Sequence, residues 1–228
     1  MTTAIIVAAG RSERMGGKTD KAFLSLGPKP VLAYSLMTLD GNAEVDDIVL
    51  VVRREQLLAA QGLVQMFGCR KVRRIVPGGA TRLASVRNGL DACDPDDTRV
   101  VLVHDGARPC VTHQIVVDCV RSAAKYGSGV AATKVVDSVK VAGKGGVVAE
   151  SLDRERIWTV QTPQAFRFDL LRRAVAAVQD KDPRITDESS AVELLGEPVR
   201  LVPSATPNPK VTVPEDLVTA ARLLGVSV

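Results

Sequence analysis

A seven-residue apolar run, Thr2–Ala8, opens directly into a loop that carries three glycines and four cations within fourteen residues. The run reads Thr-Thr-Ala-Ile-Ile-Val-Ala, the composition of a buried parallel strand. The loop reads Ala8-Ala9-Gly10-Arg11-Ser12-Glu13-Arg14-Met15-Gly16-Gly17-Lys18-Thr19-Asp20-Lys21. Glycine permits positive φ and lets a ligand approach the main chain. Backbone N–H groups combined with Lys and Arg suit a polyphosphate. The pair therefore points to a nucleoside triphosphate at the carboxyl end of the first strand, against the plainer alternative of a solvated loop. A Walker A loop does not fit: Gly17-Lys18-Thr19 supplies its end, but residue 12 is Ser12, and Gly10 leaves six intervening residues where four are needed. A G-x-G-x-x-G fingerprint is absent from this loop, so a dinucleotide site is unsupported.

Beyond the loop, apolar runs and amphipathic stretches alternate. Residues 31–39 read as a helix, Asp47–Val52 as a strand, 54–67 as a helix, 73–77 as a strand ending at Gly78-Gly79, and 81–90 as a helix. Residues 99–104 form the most apolar strand, followed by an amphipathic helix over 111–126 and a strand over 129–133. This alternation predicts an α/β domain with a Rossmann-like, mostly parallel sheet and helices on both faces. Ligands bind such sheets at the carboxyl ends of the strands, where the glycine loop, Gly78-Gly79 and Asp105 all fall. Residues 134–156 break the pattern with paired valines around Lys144-Gly145-Gly146, two extended arms about a turn. An isolated two-stranded arm is marginal in water, so it is either an ordinary edge hairpin or an arm that lies on another copy. Then come a strand at 158–161, helices at 169–178 and 187–195, a strand at 200–203, and a last helix capped by Thr212-Val213-Pro214-Glu215. No linker or repeat interrupts residues 1–228, which read as one domain plus the arm.

Composition limits the partners. Aromatics make up 3% of 228 residues, too few for a stacking platform on single-stranded nucleic acid, and a net charge of +4 demands no polyanion. The four cysteines show no C-x-x-C spacing and only two histidines exist, which argues against zinc. Scattered cysteines without a signal peptide imply reduced thiols in the cytoplasm, and no apolar run approaches the roughly 20 residues of a membrane helix.

Asp105 ends the most apolar strand, where a carboxylate is costly unless paired or ligating. It is a candidate ligand for Mg2+, which takes one or two carboxylates plus substrate phosphates; the alternative is an ion pair with Arg108.

The elements Ala8-Ala9-Gly10…Arg14-Met15…Lys21, His104-Asp105-Gly106-Ala107-Arg108-Pro109, Thr162-Pro163-Gln164, Thr186-Asp187-Glu188 and Lys210-Val211-Thr212 occur in this order. Together they resemble the 2-C-methyl-D-erythritol 4-phosphate cytidylyltransferase family of the non-mevalonate isoprenoid pathway, within the sugar-phosphate nucleotidyltransferases. The resemblance runs almost from end to end. It implies CTP and methylerythritol phosphate as substrates, Mg2+ as cofactor and a homodimer built through the arm. It implies that Arg14 and Lys21 stabilise the α-phosphate and departing pyrophosphate, and that Lys210 positions the reacting phosphates. Ala8, Ala9, Gly10, Gly79, Ser85, Asp105 and Gly106 would hold the nucleotide. Arg108, Ser138, Arg154, Thr162, Thr186 and Lys210 would hold the acceptor, with Arg154 reaching from the partner's arm. Three positions depart from the family pattern: Asp20 replaces a proline before Lys21, Ala80 replaces an acid after Gly78-Gly79, and Ser138 replaces a threonine. Two rivals remain: a ribitol-phosphate cytidylyltransferase, against which Gly106-Ala107 leans, and a non-catalytic nucleotide-binding protein, against which Arg14, Lys21 and Asp105 argue.

Overall fold

The computed structural model describes residues 1–10 and 20–227. Strand β1 (Thr2–Ala8) is buried on both faces. Its alternation sends Ala4, Ile6 and Ala8 into one apolar cluster and Ile5 into another. A small antiparallel pair, β2 (Ser25–Leu26) and β3 (Lys29–Pro30), leads into α1 (Val31–Asp40). Next come β4 (Asp47–Val52), α2 (Leu57–Met66), β5 (Val72–Pro77), α3 (Arg82–Asp91), β6 (Val100–Asp105), α4 (His113–Tyr126) and β7 (Ser128–Lys134). A hairpin of β8 (Val139–Ala142) and β9 (Val148–Leu152) follows, then β10 (Trp158–Arg167), α5 (Phe168–Ala176), α6 (Glu188–Leu194), β11 (Leu201–Pro203) and α7 (Pro214–Leu224).

The described residues form a seven-stranded sheet ordered β11-β7-β10-β6-β1-β4-β5. All its neighbours are parallel except β10, which runs antiparallel to both β6 and β7. Helices α1, α2 and α4 contribute to one core cluster and α3, α5 and α6 to the other, so both faces are covered. A third cluster seats α7 through Ala220 and Ala221 against Leu26 and Val31. The register places Ala8 beside Val52, Val52 beside Pro77, and Val7 beside Asp105. The carboxyl ends of β1, β4, β5 and β6 thus share one edge. Chain order reverses between β1 and β6, which is where a crevice opens in an open α/β sheet.

The short β2–β3 pair has no counterpart in the sequence reading, and two of the expected elements differ from it. The strand expected at 158–161 continues to Arg167 through Pro163, with a register shift between Val160 and Gln164. Proline cannot donate to a ladder, so a pattern reading stops there; the bulge absorbs it. The cap of α7 is also shifted by one residue: the Asp216 carboxylate, not Glu215, accepts from the Thr212 and Val213 amides. The β8–β9 hairpin forms about the turn Lys144–Gly146, and Val136, Val141, Val147 and Val148 are all exposed. No helix among the described residues is long and apolar enough to cross a membrane.

Candidate active site

A cavity of about 440 Å3 opens at the shared carboxyl edge. One wall is main chain from Ala8, Ala9 and Gly10, facing Gly78 and Gly79 at the end of β5. Both glycines are sterically required. A Cβ on Gly78 would lie 2.2 Å from that of Ala9, and one on Gly79 would lie 2.4 Å from that of Ala84. The Gly79 amide donates to Ser85 Oγ at 3.1 Å, and that hydroxyl donates to Thr81 O at 2.9 Å. Ser85 is buried and holds the glycine turn in shape. Thr81 caps α3 by accepting from the Ala84 amide.

The opposite wall is electrostatic. Asp105, the last residue of β6, is buried. Its Oδ1 accepts from Arg82 Nε at 3.1 Å; its Oδ2 lies 2.7 Å from Lys210 Nζ and 3.7 Å from Arg108 Nε. Burial alone would raise this carboxyl, but the charges of Arg82, Lys210 and Arg108 outweigh it and hold it well below the usual carboxylate range. The Asp105 amide donates to Thr162 Oγ1 at 3.0 Å. That hydroxyl also bonds His104 Nδ1 at 3.1 Å, and the Thr162 carbonyl accepts from Asn208 Nδ2 at 3.0 Å. Arg108 Nη1 donates to Asn208 O at 2.7 Å. His104 is fully buried, and desolvation brings it down to about 4, so it is neutral at pH 7.

The third side carries Lys21. Asp20 is buried and caps the 3-10 turn Lys21–Phe23, accepting from the Ala22 amide at 3.1 Å. Its other oxygen takes Arg53 Nε at 3.0 Å, from the residue that follows β4. Lys21, Arg53, Arg54 and Glu55 all line the cavity.

The structure thus brings Ala8, Ala9, Gly10, Lys21, Gly79, Ser85, Asp105 and Lys210 around one cavity. Gly106 and Arg108 adjoin it in chain. Thr162 is buried behind Asp105, its hydroxyl committed to His104 and the Asp105 amide rather than turned to the pocket. Thr186 is exposed just before α6 and does not line the cavity. Ser138 and Arg154 lie in the arm, exposed, with Arg154 Nη1 donating to Val136 O. Arg14 lies outside the described residues.

Sequence reasoning misses Arg82, Arg53 and Asn208, and it names Glu188 and His104 within motifs without giving either a role. A signal exists for Arg53: it follows a strand whose carboxyl end faces the site. None exists for Arg82, since an arginine in a first helical turn is usually a solvated cation.

A magnesium ion held through one carboxylate and substrate phosphates would draw on Asp105, sharing its Oδ2 with Lys210. Among the described residues no cluster of three or more His, Cys, Asp or Glu stands together. Magnesium bound through a single carboxylate and substrate phosphates needs no such cluster, and Asp105 supplies that carboxylate at the cavity wall.

A family model described as 2-C-methyl-D-erythritol 4-phosphate cytidylyltransferase matches residues 2–225. The 2-C-methyl-D-erythritol 4-phosphate cytidylyltransferase of Pelotomaculum thermopropionicum is 43% identical over 222 residues, covering 97% of this chain and 93% of that protein. The crystal structure of 4-diphosphocytidyl-2C-methyl-D-erythritol synthase from Anaerococcus prevotii superimposes with a TM-score of 0.87 at 28% identity, covering 99% of this chain and 96% of the other. That of the Thermus thermophilus 2-C-methyl-D-erythritol 4-phosphate cytidylyltransferase gives 0.77 at 31% identity, covering 98% of both chains.

Proposed function

The chain belongs to the 2-C-methyl-D-erythritol 4-phosphate cytidylyltransferase family, and from that premise we propose how its residues carry out the transfer. The enzyme moves the cytidylyl group of CTP onto 2-C-methyl-D-erythritol 4-phosphate, releasing pyrophosphate, in isoprenoid biosynthesis. A phosphate oxygen of the acceptor forms a bond to the α-phosphorus in line, and the bond to the β-phosphate oxygen breaks. The nucleophile is already anionic, so no strong base is required; the barrier is charge repulsion and alignment. The observation that carries the assignment of roles is the arrangement of Lys210 on Asp105, with Lys21 lining the same cavity.

In this reading the main chain at Ala8, Ala9 and Gly79 bounds the cytosine, with Gly10 and Gly106 admitting the nucleotide closely and Ser85 fixing the Gly79 turn. Lys21, with Arg14, stabilises the α-phosphate and the leaving pyrophosphate. Lys210 orients the reacting phosphates. Mg2+ would be held by Asp105 together with the triphosphate, and when bound it supplies further neutralisation of phosphate charge. Arg108, Thr162 and Thr186 would serve the acceptor side, Arg108 and Thr162 from behind Asp105. Ser138 and Arg154 would complete that side from a partner's arm in a homodimer. The four cysteines are free and buried, in keeping with a reducing cytoplasm.

The test is pyrophosphate release from CTP, with methylerythritol phosphate and ribitol phosphate compared as acceptors. Methylerythritol phosphate should be turned over far faster, and equal or reversed preference would overturn the acceptor assignment. Chelation should abolish turnover and Mg2+ restore it. Asp105→Asn should fold yet lose on the order of 10²–10³ in kcat; full activity in chelator would reject the metal role.

A further inference from the structure

Glu188, the first residue of α6, is 0% exposed and lies behind the cavity rather than in its lining. Its backbone is fixed from the sheet. Gln164, opposite Val103 of β6, accepts from the Ser189 amide at 3.0 Å through Oε1 and donates to Asp187 at 2.9 Å through Nε2. Asp187 in turn caps α6 by accepting from the Ser190 amide. From this fixed base the Glu188 carboxylate takes both terminal nitrogens of Arg82: Nη2 donates to Oε2 at 3.0 Å and Nη1 to Oε1. The remaining edge of the same guanidinium, Nε, donates to Asp105 Oδ1.

A guanidinium is planar and rigid, so holding two of its nitrogens fixes the direction of the third. We infer that Glu188 and Arg82 are positioning residues for Asp105: Glu188 aims Arg82, Arg82 pins Oδ1, and Oδ2 is left on the cavity side, where it holds Lys210, the residue that orients the reacting phosphates. This rests on Asp105 serving the transfer as proposed above. Stability alone is a poor account of the pair. Breaking a buried ion pair is costly, yet replacing both partners with apolar residues is often neutral or stabilising. A fully buried acid whose carboxylate is spent on an arginine of the cavity wall is explained by what that arginine holds. Lysine could not substitute, because a point charge cannot span Glu188 and Asp105 in fixed geometry.

The experiment compares wild type with Arg82→Lys, Glu188→Gln and the double exchange Arg82→Met/Glu188→Leu. Each is followed by kcat, by KM for both substrates, by Mn2+ binding in the presence of CTP from the signal of the free ion, and by melting temperature. Loss of an orienting partner should lower kcat and Mn2+ affinity by about 10–100-fold, with the acceptor KM changed by no more than about threefold. The apolar double exchange should recover melting temperature relative to Glu188→Gln without recovering kcat. A folded variant with kcat and Mn2+ affinity near wild type overturns the inference, as does turnover that tracks melting temperature across the set. Failure of all three to fold would make the pair a folding element and overturn it likewise. Asp105→Asn is measured alongside: if it keeps full turnover, the role of Asp105 itself has failed, whereas an inactive Asp105→Asn beside normal Arg82 and Glu188 variants rejects only the positioning.

Discussion

His104 shows how one residue behind the site ties chemistry to stability. It lies within reach of the charges of Asp105, Arg108 and Lys210, but burial dominates and lowers it to about 4 from an ordinary 6.5. Between those values the unfolded chain binds more protons than the folded one, so stability rises with pH across that window and is lost on acidification through it. Asp20 and Glu188, both raised by burial, act with the opposite sign above the ordinary carboxylate range, so the informative quantity is a difference between proteins. From pH 6.5 to 5, wild type should lose on the order of 2 kcal/mol more than His104→Gln by urea unfolding. Parallel curves would show that His104 is not held neutral in the fold. At this scale the sequence was readable where chemistry is unusual: an aspartate ending an apolar strand has to be paired or ligating, so Asp105 stood out. Arg82 did not, and Glu188 stood only as a motif member without a role, because the partners of Arg82 are 23 and 106 residues away from it and neither residue type is unusual on a helix. Thr162 was named through the resemblance as an acceptor residue, but its direction, toward His104 and the Asp105 amide, is a property of the packed structure.

Among the elements, the 3-10 turn carrying Lys21 holds one of the three departures from the pattern that the resemblance carries. A proline before the lysine would stiffen the chain by fixing φ. Asp20 achieves the same end by other means: its carboxylate caps the turn at Ala22 and is tied to Arg53 beyond β4. Its own φ of −73° is one that proline adopts. Asp20→Ala should therefore cost about 1 kcal/mol of local stability through the lost cap, and raise the KM for CTP on the order of tenfold, the equivalent of about 1.4 kcal/mol. Asp20→Pro should stay closer to wild type although it loses the same ion pair. Equal KM values for the two variants would show that the turn's rigidity is not what Asp20 provides. The departure was visible in the sequence; its compensation by Arg53 was not, since the two are 33 residues apart. The helices and most strands were legible because the helices carry apolar faces and the central strands are short, continuous apolar runs with clear ends. The full length of β10 was not, because Pro163 interrupts a strand that only tertiary pairing on both sides sustains.

At the scale of the whole molecule, the part least covered among the described residues is the arm. The β8–β9 hairpin presents Val141, Val147 and Val148 to solvent, with Val136 exposed just before it, and such a ribbon is marginal in water on its own. A two-fold homodimer buries both copies of an arm reciprocally. Arg154 stands at the base of this arm, exposed, with one terminal nitrogen on Val136 O, while Lys21 lines the cavity of the body. If the dimer proposed above is correct, each active site takes Lys21 from one subunit and Arg154 from the other. Arg154→Ala and Lys21→Ala should each lose on the order of 10²–10³ in rate, the effect of removing one charge contact from a phosphate-transfer site. Mixing the two inactive proteins and allowing subunits to exchange should then restore activity, because in each heterodimer one of the two composite sites holds both wild-type residues. If Arg154 instead acts on its own chain's cavity, every site in the mixture lacks one residue or the other. Heterodimer formation is verified by native mass spectrometry on differently tagged subunits, and pyrophosphate release is measured before and after exchange. A verified heterodimer without recovery rejects the shared site, and a monomer at assay concentration rejects it before any mixing is done.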